Sequence, residues 1–478
     1  MPYDTVNNPV HLIIIGGGPA GYVAALHASA RGARVTLIEA KELGGTCLNR
    51  GCIPTKTLIS ACSLMEKLRS ASRFGIDIQG EIAWKWRDVQ ANMDKVVGTL
   101  VKGVGGLLSN RRVEFIHGHA RLTDRRTVEI AGHGMVSGDF ILICSGSRAA
   151  RPPIFPFDGC RVVTSDELLK WDSLPLSLAI IGEGIIACEF AFALKALGTD
   201  VTMIGMEDRP LPTLDSDIST LVAREMKKRG IRFIGGSVVD GLDINADQVE
   251  ISARGIPLAC AERALVCVGR VPNSDRLNLE AINLITGPRG EIRVDEFMRT
   301  SVPGVYAAGD VTGGVMLAHA ASAQAKLAVD HMLGNAPATI DEMTIPWAIF
   351  TSPEIACVGM AELAAKKRGI EVRCGKFDIR GLGKAQAIGE LAGTVKVVAD
   401  ANTRRLLGVH IIGPHATDLI HEAVLLIGNG LPTECLVRTI HAHPTLSEAV
   451  LEATEDVFGQ ATHKILKSEL GVAYGLSA

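Results

Sequence analysis

One pattern occurs twice in this chain, and it constrains the fold more than any other feature. Leu12–Ile15 is a short apolar run that suits a strand buried on both faces. Gly16-Gly17-Gly18-Pro19-Ala20-Gly21 follows, then a helix-like run to Arg31, a second strand Arg34–Ile38, and Glu39. Further on, Leu178–Ile181 leads into Gly182-Glu183-Gly184-Ile185-Ile186-Ala187, a helical run to Leu197 and a strand Asp200–Ile204. Each copy reads strand, glycine turn, helix, strand. In such a unit the first glycine permits the tight turn and the second lets a pyrophosphate approach bare backbone. The third lets helix and strand pack closely. The helix N-terminus then stabilises the phosphates. A lone G-x-G-x-x-G says little; with both strands in place it predicts a dinucleotide site. Glu39 stands where a carboxylate would hold a ribose hydroxyl pair, the competing reading being a solvated strand end. The second copy departs at two places: Ala187 replaces the third glycine, and Gly205 stands where the first copy has its acid.

A second constraint lies just past the first copy. Gly44-Gly45-Thr46-Cys47-Leu48-Asn49-Arg50-Gly51-Cys52-Ile53-Pro54-Thr55-Lys56 holds two cysteines with four residues between them. Gly and Asn favour turns over helix interior. A disulfide needs Cα atoms within roughly 4.4–6.8 Å, and an ideal helix would separate these two by about 7.5 Å of rise. Pairing would require a kink; Gly51 permits one, and Pro54 suits the first helical turn after it. A thiol near that helix start and Lys56 would have a lowered pKa. By spacing alone, two unrelated buried cysteines remain the simpler reading.

Length and composition narrow the class. At 478 residues the chain is too long for one core and suggests about three domains. Lys+Arg of 49 against Asp+Glu of 52 gives no basic bias toward nucleic acid or anionic membrane. Eleven cysteines without regular spacing argue against a secreted disulfide framework. The apolar start His11–Ile15 lacks a basic n-region, with Asp4 the only formal charge ahead of it, and runs into glycines instead of a cleavage site. The most apolar window, 174–198, is broken by Gly182, Gly184 and three charged residues, so no membrane span is expected. A cytoplasmic α/β enzyme without a metal centre is the expectation.

The cysteine segment resembles the redox-active disulfide of the flavin-dependent pyridine nucleotide–disulfide oxidoreductases, and within them the branch that oxidises dihydrolipoyl groups, whose motif is close to GGTCLNxGCIPxK. Four later stretches carry the likeness along nearly the whole chain. Phe140–Ile143 with Cys144-Ser145-Gly146-Ser147 is similar to a strand followed by ATGS. Gly269-Arg270-Val271-Pro272-Asn273 is similar to VGRxPN. Thr300–Asp310 followed by Met316-Leu317-Ala318-His319 resembles the second flavin signature. Gly408–Pro414 resembles the dehydrogenase branch, although Gly383-Lys384-Ala385 replaces a usual Ser-Arg-Ala. The resemblance implies an α/β chain with two Rossmann-like dinucleotide-binding domains and a C-terminal α+β dimerisation domain. Residues 1–151 and 274–344 would form the FAD-binding and central parts, 152–273 the NAD-binding domain and 345–478 the dimerisation domain. Pro152, Pro153 and Pro156 mark the first crossing, and Asp400-Ala401-Asn402-Thr403 a hairpin between Val395–Val398 and Leu406–Ile412.

The same resemblance implies the chemistry. FAD would lie on Gly16, Gly18, Gly21, Glu39, Gly45, Thr46, Lys56, Gly146, Asp310, Leu317 and Ala318. NAD would lie on Gly182, Gly184, Ala187, Gly269 and Arg270. Cys47 and Cys52 would form the redox disulfide, and Glu189, early in the second helix, would pair with Lys56 beside the flavin. An exposed Glu favouring a helix N-terminal turn is the alternative there. His441-Ala442-His443-Pro444-Thr445-Leu446-Ser447-Glu448 carries the base. Thr445 to Glu448 fits a capping box, which gives Glu448 a structural role. The family likeness instead makes Glu448 the carboxylate that holds His443, whose free nitrogen takes a thiol proton. That pair would reach the partner subunit's disulfide in a homodimer, and the substrate would be a dihydrolipoyl group on a lipoylated carrier protein.

Rival readings change the substrate or remove the activity. Glutathione-type relatives carry an Arg in the first helix where this chain has Leu26 and His27, and a Ser where it has Pro19. Mercury-reducing relatives carry C-terminal cysteines, whereas the last here is Cys435 and the tail 471–478 has none. An idle flavoprotein serving assembly or redox sensing would not need Cys47, Cys52, His443 and Glu448 together. Gly205 carries neither the acid of NAD-dependent relatives nor the Arg of NADP-dependent ones. The charges of Glu207 and Asp208 would oppose a 2′-phosphate, with Arg209 countering them, so NAD is expected.

Overall fold

The computed structural model describes residues 9–245 and 247–464. Asp4 and the tail 471–478 lie outside the described residues. The chain divides into two compact units, residues 1–210 with 226–342, and residues 211–225 with 343–478.

The first unit contains both copies of the repeated pattern. Its first sheet runs Val305–Ala307, Phe140–Ile143, His11–Ile15, Arg34–Glu39, Glu114–His117, all parallel. Its second runs Val162–Val163, Arg263–Val266, Ser177–Ile181, Asp200–Ile204, Arg232–Ile234, again all parallel. Both put the glycine-turn strand in the centre, because a strand made almost wholly of aliphatic side chains is stable only when both faces are covered. Ile13, Ile14, Leu178 and Ile180 are fully buried, as are Leu37, Leu142, Met203 and Leu265 on the strands beside them. The duplication is deeper than the sequence pattern. Each sheet is interrupted by a three-stranded antiparallel meander before its fourth strand, counted from the glycine-turn strand, returns beside that strand. In the first copy the meander is Ala120–Leu122, Thr127–Ile130 and Gly134–Ser137. In the second it is Gly241–Ile244, Val249–Ala253 and Ile256–Ala261.

The helix Pro19–Ala30 follows the first glycine turn and Ile185–Ala196 the second, the latter buried almost throughout. Cys52–Arg69 is a long helix packed on Ile185–Ala196. It ends at Arg69, and Ala71–Phe74 is a separate 3-10 turn. The amphipathic stretch after Trp84 forms the helix Trp86–Asn110.

The second unit is built on an antiparallel sheet ordered Trp347–Ile349, Glu354–Gly359, Leu406–Gly413, Thr394–Asp400, Val372–Asp378. The expected hairpin is its centre. Val395, Val397, Val409 and Ile411 share one core cluster with Ala449, Val450 and Ala453. The unit also takes residues 211–225, a segment the sequence reading put in the nucleotide domain. The reason is ionic. Lys396, on the central hairpin and 1% exposed, donates to Asp215 at 2.9 and 3.0 Å and to Asp217 at 2.7 Å, and reaches Glu362 at 2.7 Å. Among the described residues no helix is long and apolar enough to cross a membrane.

Candidate active site

The glycine turns come first because they set everything else. Gly16 has φ +108° and Gly182 φ +126°. A Cβ at Gly16 would lie 2.2 Å from the Cys144 carbonyl oxygen, and one at Gly182 would lie 2.3 Å from that of Cys267. Both turns are therefore closed to any side chain. The second glycines differ in kind: a Cβ at Gly18 would meet only Gly45 Cα at 3.8 Å, and one at Gly184 would meet nothing within 4 Å. Bare backbone at the start of a helix, open on its outer side, is the surface a pyrophosphate requires. Glu39 folds back onto the first turn, accepting from the Gly17 N–H at 2.6 Å and from the Lys41 N–H at 2.7 Å.

The cysteine segment sits against that turn, with a Cβ at Gly45 only 2.7 Å from Gly18 Cα. Here the structure differs from the turn expected by composition. Cys47 lies in a short helix, Gly45–Asn49, and Cys52 opens the next, Cys52–Arg69. Asn49 is tolerated because its side-chain amide donates to the Leu43 and Gly45 carbonyls at 3.0 and 2.9 Å. The break falls at Arg50-Gly51, where a Cβ on Gly51 would come within 3.0 Å of the Thr46 carbonyl oxygen. Thr46 accepts from the Arg50 N–H at 3.0 Å, closing the first helix.

Cys47 and Cys52 are hydrogen-bonded thiols, both partly buried. The bond from Cys47 holds Cys52 down to about 7; burial opposes this, and the Lys56 charge adds to it. The same bond, then burial, pushes Cys47 upward. Lys56 is itself held by both oxygens of Glu189, at 2.9 and 2.8 Å, and the Glu189 side chain is only 4% exposed. Glu189 is thus a buried anchor for the lysine, not a solvated first-turn acid.

Around this lie the remaining flavin candidates. Gly309 is wedged between helices, its added Cβ falling 3.3 Å from both Ala20 and Ala321 Cβ, and Asp310 follows it. Asp310 accepts from the Ser147 hydroxyl, which in turn accepts from Arg270 Nε at 2.7 Å. Arg270 Nε also lies 3.8 Å from Asp310. Arg270, expected at the second nucleotide, therefore has its described partners among the first-site residues. Gly269 accepts from the Ala150 N–H at 3.0 Å, and Gly146 has φ +69° with no neighbour for a Cβ within 4 Å. Leu317 caps the helix Ala318–Met332. Ser147 and Gln324, whose Oε1 accepts from the Gly309 N–H at 2.8 Å, were not singled out from sequence. Ser147 stood in a quoted motif; Gln324 gave no signal.

The second unit carries His443 and Glu448. His443 is 75% exposed and Glu448 21%. His443 Nδ1 lies 2.8 Å from one Glu448 oxygen, and the Thr445 N–H donates to the other at 2.8 Å. Burial raises the Glu448 carboxyl, but His443 and the Thr445 N–H outweigh it and hold it low. The helix begins at Glu448, not at Thr445. The Thr445 hydroxyl donates to Ala442 O at 2.7 Å, so only the glutamate half of a capping box forms. Glu448 thus meets both the His443 ring and the Thr445 N–H. His441 is tied to Thr439 O at 2.9 Å and Glu422 at 3.2 Å, a loop support.

A pair of adjacent thiols, a lysine anchored on a buried glutamate and two nucleotide turns in one unit define a disulfide-handling redox enzyme. The chain belongs to the pyridine nucleotide-disulphide oxidoreductase family: that family's model matches residues 10–325, and its dimerisation-domain model matches residues 345–454. It is 39% identical to a dihydrolipoyl dehydrogenase of Bacillus subtilis, covering 95% of this chain and 98% of that one. It is equally 39% identical to dihydrolipoyl dehydrogenase 2 of Haloarcula marismortui, covering 97% and 100%. Among solved structures it resembles LpdA of Mycobacterium tuberculosis, with a TM-score of 0.88, 28% identity and coverage of 93% and 99%. It also resembles RclA, an HOCl-induced flavoprotein disulfide reductase of Escherichia coli, with a TM-score of 0.84, 26% identity and coverage of 93% and 99%. The cofactors of such an oxidoreductase are FAD and NAD(H).

Proposed function

We propose that this chain is a cytoplasmic, homodimeric dihydrolipoyl dehydrogenase that oxidises dihydrolipoyl groups on a lipoylated carrier protein and reduces NAD⁺. The observation that carries the reading is the full-length likeness to enzymes of that name. The groups the chemistry needs are also all present on this chain. The dimerisation-domain match supports the homodimer. The free thiols at every other cysteine suit a reducing compartment.

FAD fits the first glycine turn with Gly45, Thr46, Asp310 and the start of helix Ala318–Met332, and NAD the second turn. When bound, they supply the two-electron acceptor and the hydride carrier. The protein's own part begins at His443. Glu448 holds Nδ1, leaving Nε2 to take a proton from one dihydrolipoyl thiol. The resulting thiolate attacks Cys47 of the Cys47–Cys52 disulfide. A substrate–Cys47 bond forms, the Cys47–Cys52 bond breaks, and Cys52 leaves as a thiolate. Its low pKa makes it the better leaving group, and Lys56 stabilises the charge. The second substrate thiol then attacks the substrate sulfur bonded to Cys47. The cyclic disulfide leaves; His443 passes its first proton to Cys47 and takes the proton of the second thiol, so the pair ends as a Cys47 thiol and a Cys52 thiolate. The substrate has lost two electrons and the cysteine pair has gained them.

The test is steady-state oxidation of dihydrolipoamide by the purified holoenzyme with NAD⁺ and with NADP⁺, followed by absorbance of the reduced nicotinamide. Rapid turnover with NAD⁺ is expected. Absence of turnover with either nucleotide, in protein that carries flavin and whose cysteine pair another dithiol reduces, would overturn the substrate.

A further inference from the structure

The second nucleotide turn lacks an acid at its strand end, yet a carboxylate occupies the same place. The two copies align by strand register. Ile15 pairs with Ile38 in the first sheet, and Ile181 pairs with Ile204 in the second. Two residues past the first member of each pair lie Gly17 and Glu183; one residue past the second member lie Glu39 and Gly205. In the first copy the glutamate is on the strand end and the glycine is in the turn. In the second copy these two residue types are exchanged.

The exchange is reciprocal in space. A Cβ built on Gly17 would lie 3.2 Å from Glu39 Cβ and 3.3 Å from its Oε2. A Cβ built on Gly205 would lie 2.9 Å from Glu183 Cβ and 3.0 Å from its Oε2. Glu39 reaches back to the N–H of the turn residue. Glu183 reaches forward, its Oε2 accepting from the Met206 N–H at 3.3 Å, just past the strand end. Gly205 is a glycine because Glu183 fills the volume a side chain there would need. Glu183 is half-buried, and its Oε1 has no hydrogen-bond partner among the described residues.

We propose that Glu183 is the ribose-binding and coenzyme-selecting residue of the second site, its free carboxylate oxygen accepting from the 2′- and 3′-hydroxyls of NAD and its charge repelling a 2′-phosphate. A carboxylate that accepts from hydroxyls cannot also accept from a phosphate dianion, and two like charges at contact distance are strongly unfavourable in a partly buried site. The inference rests on the proposed function, in which the second turn takes the nicotinamide nucleotide.

Binding separates the two. NAD⁺ and NADP⁺ are titrated calorimetrically into the oxidised holoenzyme, where neither is turned over. Wild type is expected to bind NAD⁺ the more tightly. Glu183→Gln should weaken NAD⁺ by about tenfold or more, the loss of a charge-assisted acceptor, and narrow the NAD⁺/NADP⁺ ratio, with flavin content unchanged. Glu183→Gly/Gly205→Glu, which restores the arrangement of the first copy, should recover NAD⁺ affinity. Gly205→Glu alone should not, because Glu183 still fills that space. Glu207→Gln, which alters the neighbouring exposed acid, should leave NAD⁺ affinity as in wild type. Equal NAD⁺ binding by wild type and Glu183→Gln, or a loss produced by Glu207→Gln instead, would overturn the role of Glu183 and leave the nucleotide site standing. Failure of wild type to bind either nucleotide would remove the site and this role together.

Discussion

His443 and Glu448 show how one carboxylate serves two masters. One oxygen fixes the imidazole and the other accepts from the Thr445 N–H. A His443→Gln variant keeps a hydrogen-bonding side chain and loses the base; we expect kcat for dihydrolipoamide to fall by roughly 10²–10⁴. Glu448→Gln keeps the Thr445 contact as an amide acceptor but cannot stabilise a protonated imidazole, so its loss should be smaller than that of His443→Gln. Stopped-flow reduction of the cysteine pair by dihydrolipoamide measures both. An unchanged rate in His443→Gln would place the base elsewhere. Most of this was legible because cysteine, proline and glycine announce local geometry. What the sequence could not show was the competition: a T-x-x-E pattern predicts a helix from Thr445. The start moves to Glu448 with the Thr445 hydroxyl turned back to the Ala442 carbonyl and not capping the helix. The short helix bearing Cys47 was hidden for a similar reason. Asn49 looks like a turn residue until its amide is seen capping Leu43 and Gly45.

Among the elements, the strand Thr394–Asp400 is the one whose chemistry the sequence concealed. A lysine in a short valine-rich run reads as the solvent-facing position of an alternating strand. The strand is instead buried along nearly its whole length, and Lys396 faces three acids drawn from distant parts of the chain. No local pattern encodes that meeting. Hydrogen bonds from Lys366 and then Lys396 hold the Glu362 carboxyl down to about 2 from 4.5. Burial pulls Lys396 down, but Asp217, Glu362 and Asp215 outweigh it and raise it above 10.5. A depressed carboxyl stabilises fully above pH 4.5 and loses this as pH falls toward about 2. A raised lysine stabilises fully below pH 10.5 and loses this as pH rises beyond it. Lys396→Met leaves Asp215, 2% exposed, without its cation. We expect a loss of about 3–5 kcal/mol at neutral pH. Lys396 also helps hold the Glu362 carboxyl low, so its removal takes away part of that stabilisation, and the deficit should shrink as pH falls from 4.5 toward about 2. Urea unfolding at those two pH values tests this; a deficit independent of pH would show that packing, not charge, holds the segment 211–225.

For the whole molecule, the duplicated sheets were readable in outline, since hydrophobic runs and glycine turns recur. The mirrored Glu183 was not, since a residue at a variable motif position has meaning only beside the strand end it covers. The remaining question at this scale is why His443, needed by the proposed chemistry, is exposed and sits in the dimerisation-domain match while Cys47 and Cys52 sit in the nucleotide unit. A homodimer in which each His443 serves the partner subunit's cysteines answers it, and complementation decides it. Cys47→Ser and His443→Gln chains are coexpressed with different tags, and the mixed dimers are purified through both. In a mixed dimer with sites built across the two-fold, the intact Cys47 of one chain meets the intact His443 of the other. One site of two survives, giving about half the wild-type activity per dimer. If each site is built within one chain, every site in the mixed dimer lacks either Cys47 or His443, and activity stays at the level of the parents.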